Sequence, residues 1–129
     1  MVFGVFDGLH EGHKFFLKEA KKLGDYLVVV ITPDEVVKNL KKKTPQFKID
    51  LRIERLKDLK FINEVVVGDN KLGSWKILEK TRPNIIALGY DQKDLKSSLK
   101  SYLNQQRLGI DIETLPPFFE AQYKSSLIN

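Results

Sequence analysis

The chain has no cysteine. Disulfides and thiolate-bound metals are therefore excluded, and the composition fits a reducing compartment, here read as cytoplasmic. Histidine is scarce too, with two residues in 129. A structural zinc site would have to draw on carboxylates and is not expected. No apolar run approaches the roughly 18–20 residues of a membrane span. A basic stretch followed by an apolar core, the mark of a secretory signal, is missing from the N-terminus. The first strand-like run begins almost at Met1, so little or no leader is expected. Acidic residues are outnumbered by basic ones, 17 to 22, for a net charge of +5. That surplus favours anionic ligands without choosing among nucleotides, nucleic acid and acidic lipid.

What is present suffices for a core. Apolar residues are 42% of the chain and charged residues 30%, and 129 residues read as one domain, 1–129. Strand-like and helix-like runs alternate along it. Residues 1–6 read as a buried strand, 11–24 as a helix closed by Gly24, and 26–31 as a central strand. Thr32 and Pro33 signal a helix start, and Lys41-Lys42-Lys43-Thr44-Pro45 a basic loop. Asp50 opens a further helix, and residues 64–67 form a third strand. Leu72, Trp75 and Leu78 mark a helix that stops before Pro83. Residues 84–88 form a fourth strand, Leu95 to Leu103 a helix closed by Gly109, and 110–115 a fifth strand. This alternation predicts an α/β fold: a Rossmann-like, doubly wound, five-stranded parallel sheet with helices on both faces. In such a sheet the first strand-to-helix loop lies at the topological switch point, where ligands bind.

That loop is Phe6-Asp7-Gly8-Leu9-His10-Glu11-Gly12-His13, and it holds both histidines. Strand, glycine turn and helix make a phosphate cradle, because the helix start offers unpaired N–H groups and a positive dipole end. Imidazole N–H donors aimed at the oxygens of a bound phosphate would stabilise negative charge that develops there in a transition state more than in the ground state.

The stretch Gly4-Val5-Phe6-Asp7-Gly8-Leu9-His10-Glu11-Gly12-His13 closely resembles the opening motif of the cytidylyltransferase-like nucleotidyltransferases, within the wider H-x-G-H group. The resemblance runs from Gly4 to Ser126. It implies an enzyme that moves a CMP or AMP moiety from an NTP–Mg²⁺ complex to a phosphorylated small molecule, releasing pyrophosphate. It implies His10 and His13 on the triphosphate, with Val5, Phe6 and Gly12 close to the nucleotide. Asp7 is either an Asx-type turn residue or an anchor for neighbouring groups, substrate or magnesium. The family carries basic residues in a mobile loop where Lys41, Lys42 and Lys43 stand, which implies a triphosphate contact for one of them, here Lys43. A charge run is also the ordinary composition of a solvated face.

Asp50-Leu51-Arg52 resembles a family element in which the arginine, here Arg52, reaches the nucleotide or its phosphates; an arginine fork suits phosphate oxygens. Gly89-Tyr90-Asp91-Gln92 resembles the Gly-x-Asp-Gln element, which places Gly89, Asp91 and Gln92 near the nucleoside. Lys124-Ser125-Ser126 resembles the motif that binds the β- and γ-phosphates. The preceding Phe118-Phe119-Glu120-Ala121-Gln122-Tyr123 lacks an arginine that some cytidylyltransferases carry there. That departure, with Gly-Tyr-Asp-Gln and Lys-Ser-Ser, lies nearer the archaeal FAD synthase-like members, which use ATP. ATP and CTP both stay open as donors, and FMN, a sugar phosphate, glycerol 3-phosphate or a choline-type phosphate as acceptor. No metal site made by the protein is expected, since magnesium is held largely by the triphosphate and water. The family is commonly dimeric, so a homodimer is expected.

Two other classes compete. A nucleotide-binding module without turnover fits the incomplete final motif. A nucleic-acid-binding domain fits only the charge, because the basic residues are scattered without aromatic interleaving or a recognition helix. Neither a nucleic acid nor a membrane is therefore expected as partner.

Overall fold

The structure, a computed structural model, describes residues 1–71 and 73–118. The elements follow in the order β1 (Val2–Gly4), α1 (Glu11–Lys21), β2 (Val28–Ile31), α2 (Asp34–Lys41), α3 (Ile49–Lys57), β3 (Glu64–Val67), α4 (Ile77–Thr81), β4 (Ile85–Gly89), α5 (Lys93–Gln106) and β5 (Asp111–Leu115). All strand pairs are parallel, as alternation with helices requires. The chain is α/β with helices on both faces.

The expected five-stranded sheet is present in two pieces. β2 pairs with both β1 and β3, and β4 pairs with β5. Between β1 and β4 there is a seam rather than a full ladder. The Met1 amino group donates to the Ile85 carbonyl at 2.9 Å, and the Ala87 N–H to the Met1 carbonyl at 2.9 Å. The Gln92 side chain then donates to the Phe3 carbonyl at 3.1 Å. The physical reason is the shortness of β1, three residues long: beyond Gly4 the chain leaves to build the glycine-rich loop. The spatial order is thus β3-β2-β1 followed by β4-β5, with the switch point between β1 and β4.

Side chains alternate across the sheet with the period of two that strands impose. Val29, Ile31 and Ala87 face one core with Leu17, Ala20 and Leu56 of α1 and α3. Val30, Ile86 and Leu88 face the other with Leu78 of α4 and Leu99 and Leu103 of α5. The order explains the layering. Chain moving outward from β1 crosses on one face, and chain moving outward from β4 crosses on the other.

Helix ends depart from expectation in instructive ways. Gly24 does not close α1. Lys22 does, in ordinary helical geometry, because the backbone continues through a hydrogen-bonded turn. Pro33 rather than Thr32 occupies the position before α2. Thr32 instead turns both its N–H and its hydroxyl to the Gly4 carbonyl. The helix expected from Leu72 to Leu78 is only α4, since Trp75 lies outside it at φ +54°. Arg107, in the left-handed region, ends α5 before Gly109 is reached. No helix among the described residues is long and apolar enough to cross a membrane.

Candidate active site

The loop after β1 is shaped by what glycine omits. A Cβ on Gly4 would lie 2.6 Å from the Phe6 ring, which folds back over it. Phe6 takes φ +50° to do so, buries its ring, and meets His13 edge-on at 5.4 Å. Gly8, at φ +76°, then turns the chain into α1.

At the start of α1 the two histidines cap each other. The His13 N–H donates to His10 Nδ1 and the His10 N–H to His13 Nδ1, both at 3.3 Å. This is the reciprocal capping box normally made by Ser or Thr with Glu, at the same i, i+3 spacing. The rings stack at 3.6 Å and 18°. A Cβ on Gly12 would sit 3.0 Å from His10 Cε1, so the intervening glycine leaves room for that ring. The chemical consequence is a fixed tautomer. Where Nδ1 accepts a backbone N–H, the proton of a neutral ring stands on Nε2. The motif thereby offers two Nε2–H donors where the helix dipole also favours an anion.

His13 is held neutral. Burial, chiefly, then repulsion between the two rings were His10 also to carry a proton, and the charge of Lys41, lower its pKa from 6.5 to about 4; Asp91 and the Gly8 backbone act the other way. The folded protein resists a proton that the unfolded chain would accept. This group therefore weakens folding increasingly as pH falls from about 6.5 to about 4, and adds no further penalty below. In a ¹⁵N–¹H titration the His13 imidazole is expected to titrate near pH 4; titration above pH 6 would show that the ring is not desolvated.

Asp7 resolves into an anchor. Its carboxylate accepts the N–H groups of Gln46 and Phe47 at 2.7 and 2.8 Å, pinning the far end of the lysine loop to the histidine motif. Arg52 is a correction. It was expected on a phosphate, but only 1% of its surface is exposed. Its guanidinium donates to the carbonyls of Phe47, Val5 and Thr32 and to the Asp34 carboxylate. Those bonds use four of the five N–H donors of the group. Arg52 thus ties the β1 loop, the end of β2, the start of α2 and the loop before α3 into one unit. The signal that could have revealed this was Asp34, an acidic residue at the mouth of β2 that sequence reasoning left unpaired.

The lysine run meets the cleft through one residue. Lys41, not Lys43, lines the cleft over the histidines. α2 ends at Lys41, and Lys42 then takes φ +59°, which turns the chain away before Lys43. The cleft is about 680 Å³ and opens at the switch point, within the range of small-ligand sites. Val5, Phe6, Asp7, His10, Gly12 and His13 line one side and Gly89, Asp91 and Gln92 another, so most expected residues come together. Gln92 spends its amide within the protein, accepting from the Gly89 N–H at 2.8 Å and donating to Phe3. A Cβ on Gly89 would lie 2.9 Å from the Asp91 carboxylate, so the glycine leaves that side chain where it stands. Phe15, Pro116 and Pro117 complete the rim and were missed; Pro116-Pro117 directly after a strand at this edge was the available signal. Lys124, Ser125 and Ser126 lie outside the described residues. Among those residues, no three His, Asp or Glu side chains gather as a metal cage.

A family model described as cytidylyltransferase-like matches residues 1–129. The chain belongs to the cytidylyltransferase-like family. It is 42% identical over 113 residues to the FAD synthase of Thermococcus sibiricus, covering 88% of this chain and 76% of that protein. It is 39% identical over 129 residues to the FAD synthase of Pyrococcus abyssi, covering 99% and 87%. A crystal structure described as the lipopolysaccharide core biosynthesis protein from Thermoplasma volcanium superposes with a TM-score of 0.84 at 37% identity, over 92% and 95% of the two chains. A pantoate-beta-alanine ligase from Francisella tularensis superposes at 0.65 with 18% identity, over 89% and 57%, a likeness of fold. As a cytidylyltransferase-like protein the chain is a nucleotidyltransferase, and its histidine loop lies at the switch point of the fold.

Proposed function

We propose that this nucleotidyltransferase transfers AMP from ATP to the phosphate of FMN, forming FAD and pyrophosphate. The observation that carries the transfer chemistry is the pair of Nε2–H donors set by the His10–His13 box over the cleft. The choice of ATP and FMN rests on relatives named FAD synthase at 42% and 39% identity. An acceptor phosphate is already largely ionised at neutral pH, with a second pKa of about 6. No protein base has to remove a proton, which suits a site whose histidines act as donors. In this reading His10 and His13 bind the triphosphate and stabilise charge on the α-phosphate. Asp91 approaches the nucleoside, and Asp7, Arg52 and Gln92 hold the loops that carry these groups. Lys124, Ser125 and Ser126 are assigned to the β- and γ-phosphates by resemblance. Magnesium would keep phosphate and water ligands, so the reading requires no protein cage for it. When bound, it would neutralise charge on the departing pyrophosphate. The reading includes a homodimer in the cytoplasm.

The test is direct. Purified protein with ATP, Mg²⁺ and FMN should yield FAD and pyrophosphate in equal amounts. Product from CTP and glycerol 3-phosphate, with none from ATP and FMN, would transfer the protein to the cytidylyl branch. Binding of ATP without any pyrophosphate release would leave a nucleotide-binding module. Within this reading Lys41→Ala should raise the KM for ATP roughly tenfold, the worth of one charge-assisted contact, while Lys43→Ala leaves it nearly unchanged. The reverse ranking would return the phosphate contact to Lys43.

A further inference from the structure

Phe47 is held from four directions. The Asp7 carboxylate accepts its N–H at 2.8 Å, and that of Gln46 at 2.7 Å. Arg52 Nε donates to its carbonyl at 3.0 Å. Its ring edge lies against Gly8, where a Cβ would stand 3.7 Å from Phe47 Cε2, and Gly8 at φ +76° is the turn into the histidine box. The fourth contact is Arg55, one turn along α3 from Arg52, whose guanidinium carbon lies 4.1 Å from the ring centroid.

Phe47 closes the loop that leaves the cleft. α2 stops at Lys41, which lines the cleft, and Lys42 at φ +59° turns the chain outward. Lys42, Lys43 and Thr44 are exposed. The chain returns at Gln46 and Phe47, where Asp7 takes it up, and Asp7 lines the same cleft. Lys41 and Asp7 thus stand at the two ends of one short span. The place of each depends on how firmly that span is fixed at Phe47. Neither Phe47 nor Arg55 lines the cleft, so their contact acts on a bound nucleotide only through the span. An arginine plane over an aromatic face is attracted by the negative face of the ring, and its flat, pre-organised shape loses little freedom there.

We propose that Arg55 is a positioning residue for the donor nucleotide: by holding the Phe47 ring against Gly8 it fixes the loop of residues 42–46, and with it Lys41 and Asp7, before ATP arrives. The inference rests on the reading above in taking ATP as the ligand of the cleft, and does not depend on the acceptor. The gain is one of ordering. A loop already fixed in its bound place costs the ligand less conformational entropy, so affinity rises without a new contact. The Arg55 contact is the same in the bound complex and in the transition state. Its loss should therefore raise the KM for ATP and leave kcat nearly alone. Arg52 grips the Phe47 carbonyl from within the core, whereas Arg55 is half-buried and grips the ring from outside.

Arg55→Ala should weaken the binding of a non-hydrolysable ATP analogue with Mg²⁺ about fivefold, read by calorimetry, and raise the KM for ATP by the same factor. Phe47→Leu keeps an apolar side chain but removes the aromatic face, and should have the same effect. The double variant should bind no more weakly than either single one, because all three lose one contact. Arg55→Lys keeps a cation for the ring and should recover part of the affinity. Unchanged analogue affinity in Arg55→Ala, whatever the Tm does, overturns the proposal, since the contact would then serve the fold alone. Losses that multiply in the double variant also overturn it, because Arg55 would then act on the nucleotide apart from Phe47. A parent protein that forms no FAD but shows the expected pattern of affinities fails the proposed reaction and keeps the positioning role. A parent with no affinity for the analogue overturns both.

Discussion

His13→Ala is expected to lower kcat by on the order of 10²–10³, the usual cost of one well-placed donor to a developing oxyanion. That loss corresponds to about 2.7–4 kcal/mol of transition-state stabilisation. The substitution also removes the acceptor for the His10 N–H. A lost cap of this kind costs about 1 kcal/mol, so a small fall in Tm is expected beside the large fall in rate. The two effects separate in practice, because circular dichroism and melting read the cap while single-turnover kinetics reads the donor. A variant that keeps its fold and turns over within about tenfold of the parent would remove the histidine pair from the chemistry. His10→Ala should act in the same direction, since it loses a donor and releases the His13 N–H as well.

Arg52→Ala carries the largest expected stability effect. Removing one partner of a buried ion pair costs about 3–5 kcal/mol, because the remaining charge is left without its partner. Asp34 is only half-buried and regains some water, which tempers the loss. The carbonyls of Val5, Thr32 and Phe47 lose donors at the same time. For a chain of this size the fall in Tm should be on the order of 10 °C, read by thermal melting. Arg52→Lys keeps the charge but not the fork, and should recover only part of the stability. If Arg52 instead reached a phosphate from the surface, Arg52→Ala would raise the KM for ATP and leave melting unchanged. That outcome would restore the role the sequence suggested.

Some of this protein was settled by its amino-acid sequence. Alternation of strand-like and helix-like runs is a local property, so the parallel α/β class followed from periodicity. The histidine loop was legible because all its parts lie within ten residues, Gly4 to His13. Their i, i+3 spacing at a helix start is what lets each ring accept the backbone N–H of the other. The Gly89-to-Gln92 element was found for a similar reason: the end of any parallel strand in such a sheet points to the ligand edge.

What the tertiary structure decided is what depends on residues distant in sequence. Arg52 is a surface arginine by its helical pattern and a buried one in fact. Its partners lie 5, 18, 20 and 47 positions away, and only folding brings them round one guanidinium. That Lys41 and not Lys43 lines the cleft turns on a single left-handed residue, Lys42, because reversing direction there sends neighbouring side chains to different places. The seam between β1 and β4, and the switch point it marks, come from the meeting of strands 83 residues apart at their first positions. Sequence sets which loops carry donors and acceptors; the packing of the strands sets which of them face one another across the site.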